Sequence, residues 1–67
     1  MLFKDMTPHQ RKDWLNWANS HDWGGHPAEY EGDAMTVSCC AHTVQGGYYT
    51  EYFSAMSPRD LRDWAGY

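Results

Sequence analysis

Residues 34–56 read AMTVSCCAHTVQGGYYTEYFSAM, the longest part of the chain with the alternation typical of β-strands. Apolar and polar side chains alternate through its first half, which predicts a strand over about 34–44 with one buried face. The glycine pair at 46–47 is a hairpin-turn signal, and the aromatic run after it predicts a return strand over about 48–56. The stretch therefore predicts an antiparallel hairpin.

Two nearly identical segments flank this hairpin, MTPHQRKDW at 6–14 and MSPRDLRDW at 56–64. In each, Thr or Ser followed by Pro is the signature of a helix N-cap and first helical position. They predict helices over about 7–20 and about 57–65. Residues 21–33, which contain three glycines and a proline, predict an irregular loop. Its Trp23 is expected to fold back on the core.

The length of 67 residues allows one domain, 1–67, and its core must be built largely from rings, since 16% of the chain is aromatic. A chain this short buries only about 60% of the surface that its unfolded form exposes. The order of elements predicts a small α+β domain, α–β–β–α, with an antiparallel hairpin packed against two helices.

Charge and cysteine content restrict the class of function. Nine acidic residues against five Lys and Arg give a net charge of −4, which argues against direct nucleic-acid binding. No apolar leader and no stretch near about 20 apolar residues is present, so we expect no membrane contact. The two cysteines are adjacent and form no disulfide framework, which fits a reducing compartment. These features predict a soluble cytoplasmic protein without a cofactor.

A zinc-stabilised module is the alternative function that the sequence offers. Cys40 and His42 share one strand face, and four residues separate His21 from His26, as in the histidine half of a zinc site. The neighbouring Cys39 cannot join them, because adjacent residues of a strand point to opposite faces. We therefore expect no metal site and keep the other four residues as the alternative.

Catalysis has one candidate arrangement. With the two glycines as the whole turn, His42 lies opposite Glu51, so that Cys40, His42 and Glu51 have the outline of an activated thiol. Same-face neighbours on a strand lie about 6.5–7 Å apart, too far for a direct hydrogen bond. A chain this short also has little room for a catalytic pocket. We expect no enzymatic activity.

Surface recognition is the function that the sequence favours. The return strand carries four rings within six residues, and a hairpin with helices on one face must leave either Tyr49 and Phe53 or Tyr48 and Tyr52 exposed. The acidic segment before the hairpin would rim such a patch. The predicted partner-binding residues are Tyr48, Tyr49, Tyr52, Phe53, Glu29, Tyr30, Glu31 and Asp33. The edges of the hairpin would also allow a homodimer.

Residues 46–64, GGYYTEYFSAMSPRDLRDW, run a tyrosine-rich strand straight into a capped helix, and the whole chain is small, acidic and rich in aromatics. In this character it resembles the accessory proteins of bacteriophages, several of which inhibit host nucleases, defence complexes or polymerases by occupying a basic groove. The segment is similar in layout to phage inhibitors of uracil-DNA glycosylase. The resemblance implies an inhibitor or adaptor that binds a host protein in the host cytoplasm.

Overall fold

The computed structural model describes all residues, 1–67, and confirms the α+β class. Three antiparallel strands in the order β1-β2-β3 lie between two helices in the sequence, so that the hairpin is extended by one strand that was not predicted. The elements are a 3₁₀ turn at Phe3–Asp5, α1 at Pro8–Asn19, β1 at Glu29–Glu31, β2 at Ala34–His42, β3 at Tyr48–Ala55 and α2 at Pro58–Ala65.

Both helices begin at the residues that carry the capping signals. The Thr7 hydroxyl accepts from the Gln10 N–H at 3.2 Å, and the Gln10 side chain accepts from the Thr7 N–H at 3.0 Å. In α2 the Ser57 hydroxyl accepts from the Asp60 N–H at 3.2 Å. These bonds satisfy first-turn N–H groups that have no partner inside a helix, which is why the helices start there.

The predicted irregular loop over 21–33 is wrong at Glu29–Glu31, which forms β1 and pairs with β2. Gly32 and Asp33 alone connect the two strands. The φ of Gly32 is 62°, and a positive φ at the first central position is the mark of a type II′ hairpin turn. The acidic segment is therefore an ordered edge of the sheet.

The turn between β2 and β3 also differs from the prediction. β2 ends at His42, two residues early, and the connection takes residues 43–47. The Thr43 N–H donates to the Gly47 carbonyl at 2.9 Å, while the Thr43 hydroxyl accepts from the Gly47 N–H at 2.9 Å. Because Thr43 and Gly47 are bonded to each other, the loop between them has three residues, 44–46, instead of the predicted two. Gly46 closes this loop in the left-handed conformation, with a φ of 85°.

The longer loop moves the register of the hairpin by three residues. His42 lies opposite Tyr48 and not Glu51. Glu51 lies opposite Cys39, on the other face of the sheet from Cys40, because an odd shift exchanges the two faces. The predicted Cys40–His42–Glu51 arrangement is therefore wrong.

Both helices pack on the same face of the sheet. Met35 and Ala55 are paired across β2 and β3, and both are fully buried with Leu61 of α2 and Ala18 of α1. Only 8 of the 67 residues are buried, so the large rings must contribute to the core while partly exposed. The apolar core consists of Phe3, Ala18, Ala28, Met35, Val37, Ala55 and Leu61.

The half-buried rings form an aromatic cluster beside this core. Trp23 folds back from the loop, as predicted, and packs edge-on against Trp64 at 5.0 Å between ring centroids. Trp64 also stacks on Phe53, whereas Trp14 packs against Trp17. The two matching segments thus give matching helix starts but different packing. The aromatic cluster comprises Trp14, Trp17, His21, Trp23, Phe53, Trp64 and Tyr67.

Candidate protein-binding surface

No helix packs on the face of the sheet opposite α1 and α2, and we call it the open face. A groove of about 370 Å³ crosses it from β1 to β3, between Glu29 and Glu31 on one side and Tyr52 and Ser54 on the other. Strand alternation assigns its side chains. The open face comprises Glu29, Glu31, Thr36, Ser38, Cys40, His42, Tyr48, Thr50, Tyr52 and Ser54.

The loop before β1 bends over one end of the groove. The His26 N–H donates to the Ser38 hydroxyl at 2.7 Å, and that hydroxyl donates to the His26 carbonyl at 3.2 Å. Ser38 is consequently buried although it points to the open face. The His26 ring stacks over Tyr52 with 6.2 Å between centroids and 14° between planes. The loop therefore lies beside Tyr52, a contact of His26 that no pattern in the sequence predicts.

The open face carries negative charge without a compensating base. None of the three strands contains Lys or Arg. The side-chain contact between His9 and Asp13, with 3.4 Å between the imidazole nitrogen and the carboxylate oxygen, lies on the exposed surface of α1. Carboxylates lining a concave surface raise the local concentration of cationic groups. All five bases lie in the 3₁₀ turn and the helices: Lys4, Arg11, Lys12, Arg59 and Arg62.

Four of the predicted binding residues lie on this face, and three of them line the groove: Tyr52, Glu29 and Glu31. Tyr52 is 60% exposed on β3, and the two exposed glutamates lie on β1, the opposite edge of the sheet. Tyr48 is 71% exposed but lies opposite His42, at the far end of the sheet from β1. The register of the hairpin thus determines that Tyr48 and Tyr52, and not Tyr49 and Phe53, lie on the open face.

The other four predicted residues lie elsewhere. Phe53 is half-buried and stacks on Trp64 at 6.0 Å on the helix side. Tyr49, half exposed, lies on that same side at the hairpin end, and Asp33 lies in the β1–β2 turn. Tyr30 also faces the helices, where it packs edge-on against Phe3 at 5.6 Å.

Tyr30 forms a clamp with Arg11 that ties α1 to β1. The Tyr30 hydroxyl donates to the Arg11 carbonyl at 2.6 Å, and the Arg11 guanidinium lies 4.3 Å from the centre of the Tyr30 ring. The same guanidinium donates to the Gly32 carbonyl at 2.8 Å. Burial raises the pKa of Tyr30, and the hydrogen bond and charge of Arg11 partly offset this rise.

This clamp predicts a decline of stability in alkali. Since the folded chain holds the Tyr30 proton above its ordinary pKa of 10.0, the contribution is complete below that pH and is lost as the pH rises through the raised pKa. We expect Tyr30→Phe to flatten the fall of the urea midpoint as the pH rises above 10.0. The control Tyr48→Phe, at an exposed ring, should follow the wild-type profile. Coincident wild-type and Tyr30→Phe profiles would contradict the assignment.

The four alternative zinc ligands do not meet. Cys40 and His42 lie on the open face, where the His42 ring packs edge-on against Tyr48. His21 belongs to the aromatic cluster, and its Nδ1 donates to the Trp17 carbonyl at 2.7 Å. No group of three or more His, Cys, Asp or Glu side chains is arranged to hold a metal ion.

Two further findings concern membrane-spanning helices and similarity to known proteins. Neither helix combines the length and the apolar character that crossing a bilayer requires. Comparison with protein-family models, curated proteins and solved structures gave no match to this chain. The case for a function therefore rests on the open face.

Proposed function

We propose that this chain is a non-enzymatic protein-binding module that docks its open face against a basic surface of a partner protein. The observation that carries the proposal is that Tyr52, Glu29 and Glu31 line one groove on a face whose strands contain no Lys or Arg, with the exposed Tyr48 farther along the same face. Tyrosine is enriched among the few interface residues whose truncation costs about 2 kcal/mol or more of binding free energy.

The arrangement of rings and charges favours an oriented contact. The His26 ring borders Tyr52 on one side, and Tyr52 is still 60% exposed to a partner. Glu29 and Glu31 lie on β1, across β2 from Tyr52, and are spaced two residues apart on the same face. Lysine and arginine side chains of a partner would reach these carboxylates while its apolar groups cover the tyrosines.

The resemblance to phage-encoded proteins gives the proposal its specific form. In that form the chain is an inhibitor or adaptor in the host cytoplasm, and its partner is a host nuclease, defence complex or polymerase. Such enzymes hold nucleic acid in grooves lined with Lys and Arg. An acidic, ring-bearing face would occupy such a groove without binding nucleic acid itself.

The test begins with tagged protein as bait in a bacterial lysate at low salt. The retained protein is identified, purified and titrated against the wild type and against Glu29→Lys/Glu31→Lys. We expect this double reversal to weaken binding by about tenfold or more at low salt and to flatten its salt dependence, because electrostatic complementarity is removed. Tyr52→Ala should weaken binding by about thirtyfold, as expected for an anchoring ring.

A matched control reverses two exposed carboxylates on the helices, Asp13→Lys/Asp63→Lys, which changes the net charge by the same amount. This variant should bind as the wild type does, within about twofold, since rim and remote charges contribute little. Equal losses in both double variants would reduce the effect to net charge. Full binding by both Glu29→Lys/Glu31→Lys and Tyr52→Ala would refute the proposal.

A further inference from the structure

Strand β3 is an open edge of the sheet. The strand order is β1-β2-β3, and no hydrogen bond outside the sheet involves the main chain of Tyr48–Ala55. Apart from Phe53 and the buried Ala55, its residues are exposed. An edge of this kind can accept a further strand.

The hydrogen bonds of the hairpin identify the main-chain groups that face outward. The Thr43 N–H donates to Gly47 across the turn, whereas the Cys40 N–H points the other way, to the Trp23 carbonyl at 3.1 Å. The pairing of β2 with β3 continues without a bulge. The N–H and C=O groups of successive residues point alternately to the two sides of a strand. The β3 residues that lie opposite even-numbered β2 residues therefore direct these groups to solvent. These outward residues of β3 are Tyr48, Thr50, Tyr52 and Ser54.

Most of the usual protection of an edge is missing here, although one charged side chain, that of Glu51, lies on the helix side of the strand. Edge strands of monomers are typically short, bulged, or marked by Lys or Pro. β3 has 8 residues, no bulge, no Lys and no Pro, and Glu51 is its one charged residue. The opposite edge, by contrast, is the 3-residue β1.

We propose that two copies of this chain pair through β3, antiparallel, about a twofold axis that passes through Tyr52. Outward residues must then face outward residues, so Thr50 lies opposite Ser54 of the second copy and Tyr52 opposite its own counterpart. Glu51 lies opposite Phe53 of the second copy. The pairing joins two 3-stranded sheets into one continuous sheet.

Two alternative registers are less favourable. An axis through Glu51 brings two carboxylates directly opposite each other, which is destabilising. An axis through Thr50 places Ser54 against the turn residue Gly46 and shortens the paired region. The Tyr52 register moves the two Glu51 carboxylates from directly opposite to diagonal positions, where they repel each other less. Its ends are defined, because the Met56 N–H and C=O are already bonded to Asp60 and Phe3.

The pairing has a consequence for the open face. A twofold axis within an antiparallel pair is perpendicular to the sheet, so the helices of both copies lie on one side and both open faces on the other. The two Tyr52 side chains meet at the centre of this joint surface. The dimer needs no foreign protein and stands or falls independently of the proposed function.

Amide hydrogen exchange at two protein concentrations tests the pairing residue by residue. A contact of one strand is small for a specific interface, so we expect a dissociation constant of about 10–100 µM. At ten times that concentration the amides of Thr50, Tyr52 and Ser54 should exchange about fivefold more slowly than at high dilution. The Tyr48 amide should not change, because no free group of the second copy reaches it. Protection of Tyr48 would overturn the register.

Sedimentation equilibrium of variants tests the edge. Thr50→Pro removes an outward N–H and leaves the bonds to β2 intact, so it should abolish the dimer while the monomer keeps its near-ultraviolet circular dichroism. Tyr52→Lys, at an exposed side chain, places two ammonium groups at the axis and should do the same. Glu51→Gln is the matched control and should leave association unchanged. A wild type that stays monomeric to about 1 mM, a dimer that survives both edge variants, or stronger association of Glu51→Gln would each overturn the proposal.

Discussion

Phe3→Ala is expected to lower the free energy of unfolding by about 3–5 kcal/mol, the usual cost of deleting a buried aromatic ring. Phe3 is fully buried, packs edge-on against Tyr30 at 5.6 Å, and its N–H donates to the Met56 carbonyl at 2.9 Å. It therefore joins the start of the chain to β1 and to the end of β3. A domain of this length has a total stability of about 3–10 kcal/mol, so the variant should be largely unfolded at 37 °C.

Urea unfolding followed by tryptophan fluorescence measures this loss. The matched control is Leu2→Ala, one residue earlier and 37% exposed, which should change the free energy of unfolding by less than about 1 kcal/mol. Equal midpoints for Phe3→Ala and the wild type would mean that the 3₁₀ turn does not contribute to the core.

Gly25→Ala is expected to cost about 3 kcal/mol, because a Cβ at this position has no space. It would lie 2.5 Å from the Ser38 carbonyl carbon and 2.6 Å from the carbonyl oxygen. Both atoms belong to the main chain of β2, so rotation of a side chain cannot relieve the contact. The loop must move away, and the two hydrogen bonds between His26 and Ser38 must lengthen or break.

The control for this variant is Gly47→Ala. Like Gly25, Gly47 has no positive φ, but its nearest neighbour is the Thr43 hydroxyl at 3.2 Å, a side-chain atom that can move. We expect a change within about 1 kcal/mol for Gly47→Ala. Urea midpoints give the stability, and the amide chemical shift of His26 reports whether the loop has left Ser38. A Gly25→Ala protein with wild-type stability and an unmoved His26 amide would disprove the close approach.

The composition of the candidate surface depends on the local geometry of β2 and on the longer-range register between β2 and β3. The alternation in β2 placed Thr36, Ser38, Cys40 and His42 on one face correctly, because strand geometry alone sets that pattern. Which tyrosines share that face depended on the register, which the loop sets. The sequence around β1 does contain a hairpin signal, because Gly32-Asp33 is a two-residue glycine turn between two extended runs. The other glycines and the proline of 21–33 indicated a loop instead.

The sequence by itself determined both helix starts, the α+β class and the exposed, acidic character of the segment before β2. Those features depend on hydrogen bonds and charges within a few residues, such as Thr7 with Gln10 and Ser57 with Asp60. Only the tertiary structure decided that Phe3 is core and that His26 stacks on Tyr52. Each of these depends on groups more than twenty residues apart, whose pairing follows from the packing of the whole chain and from no local pattern.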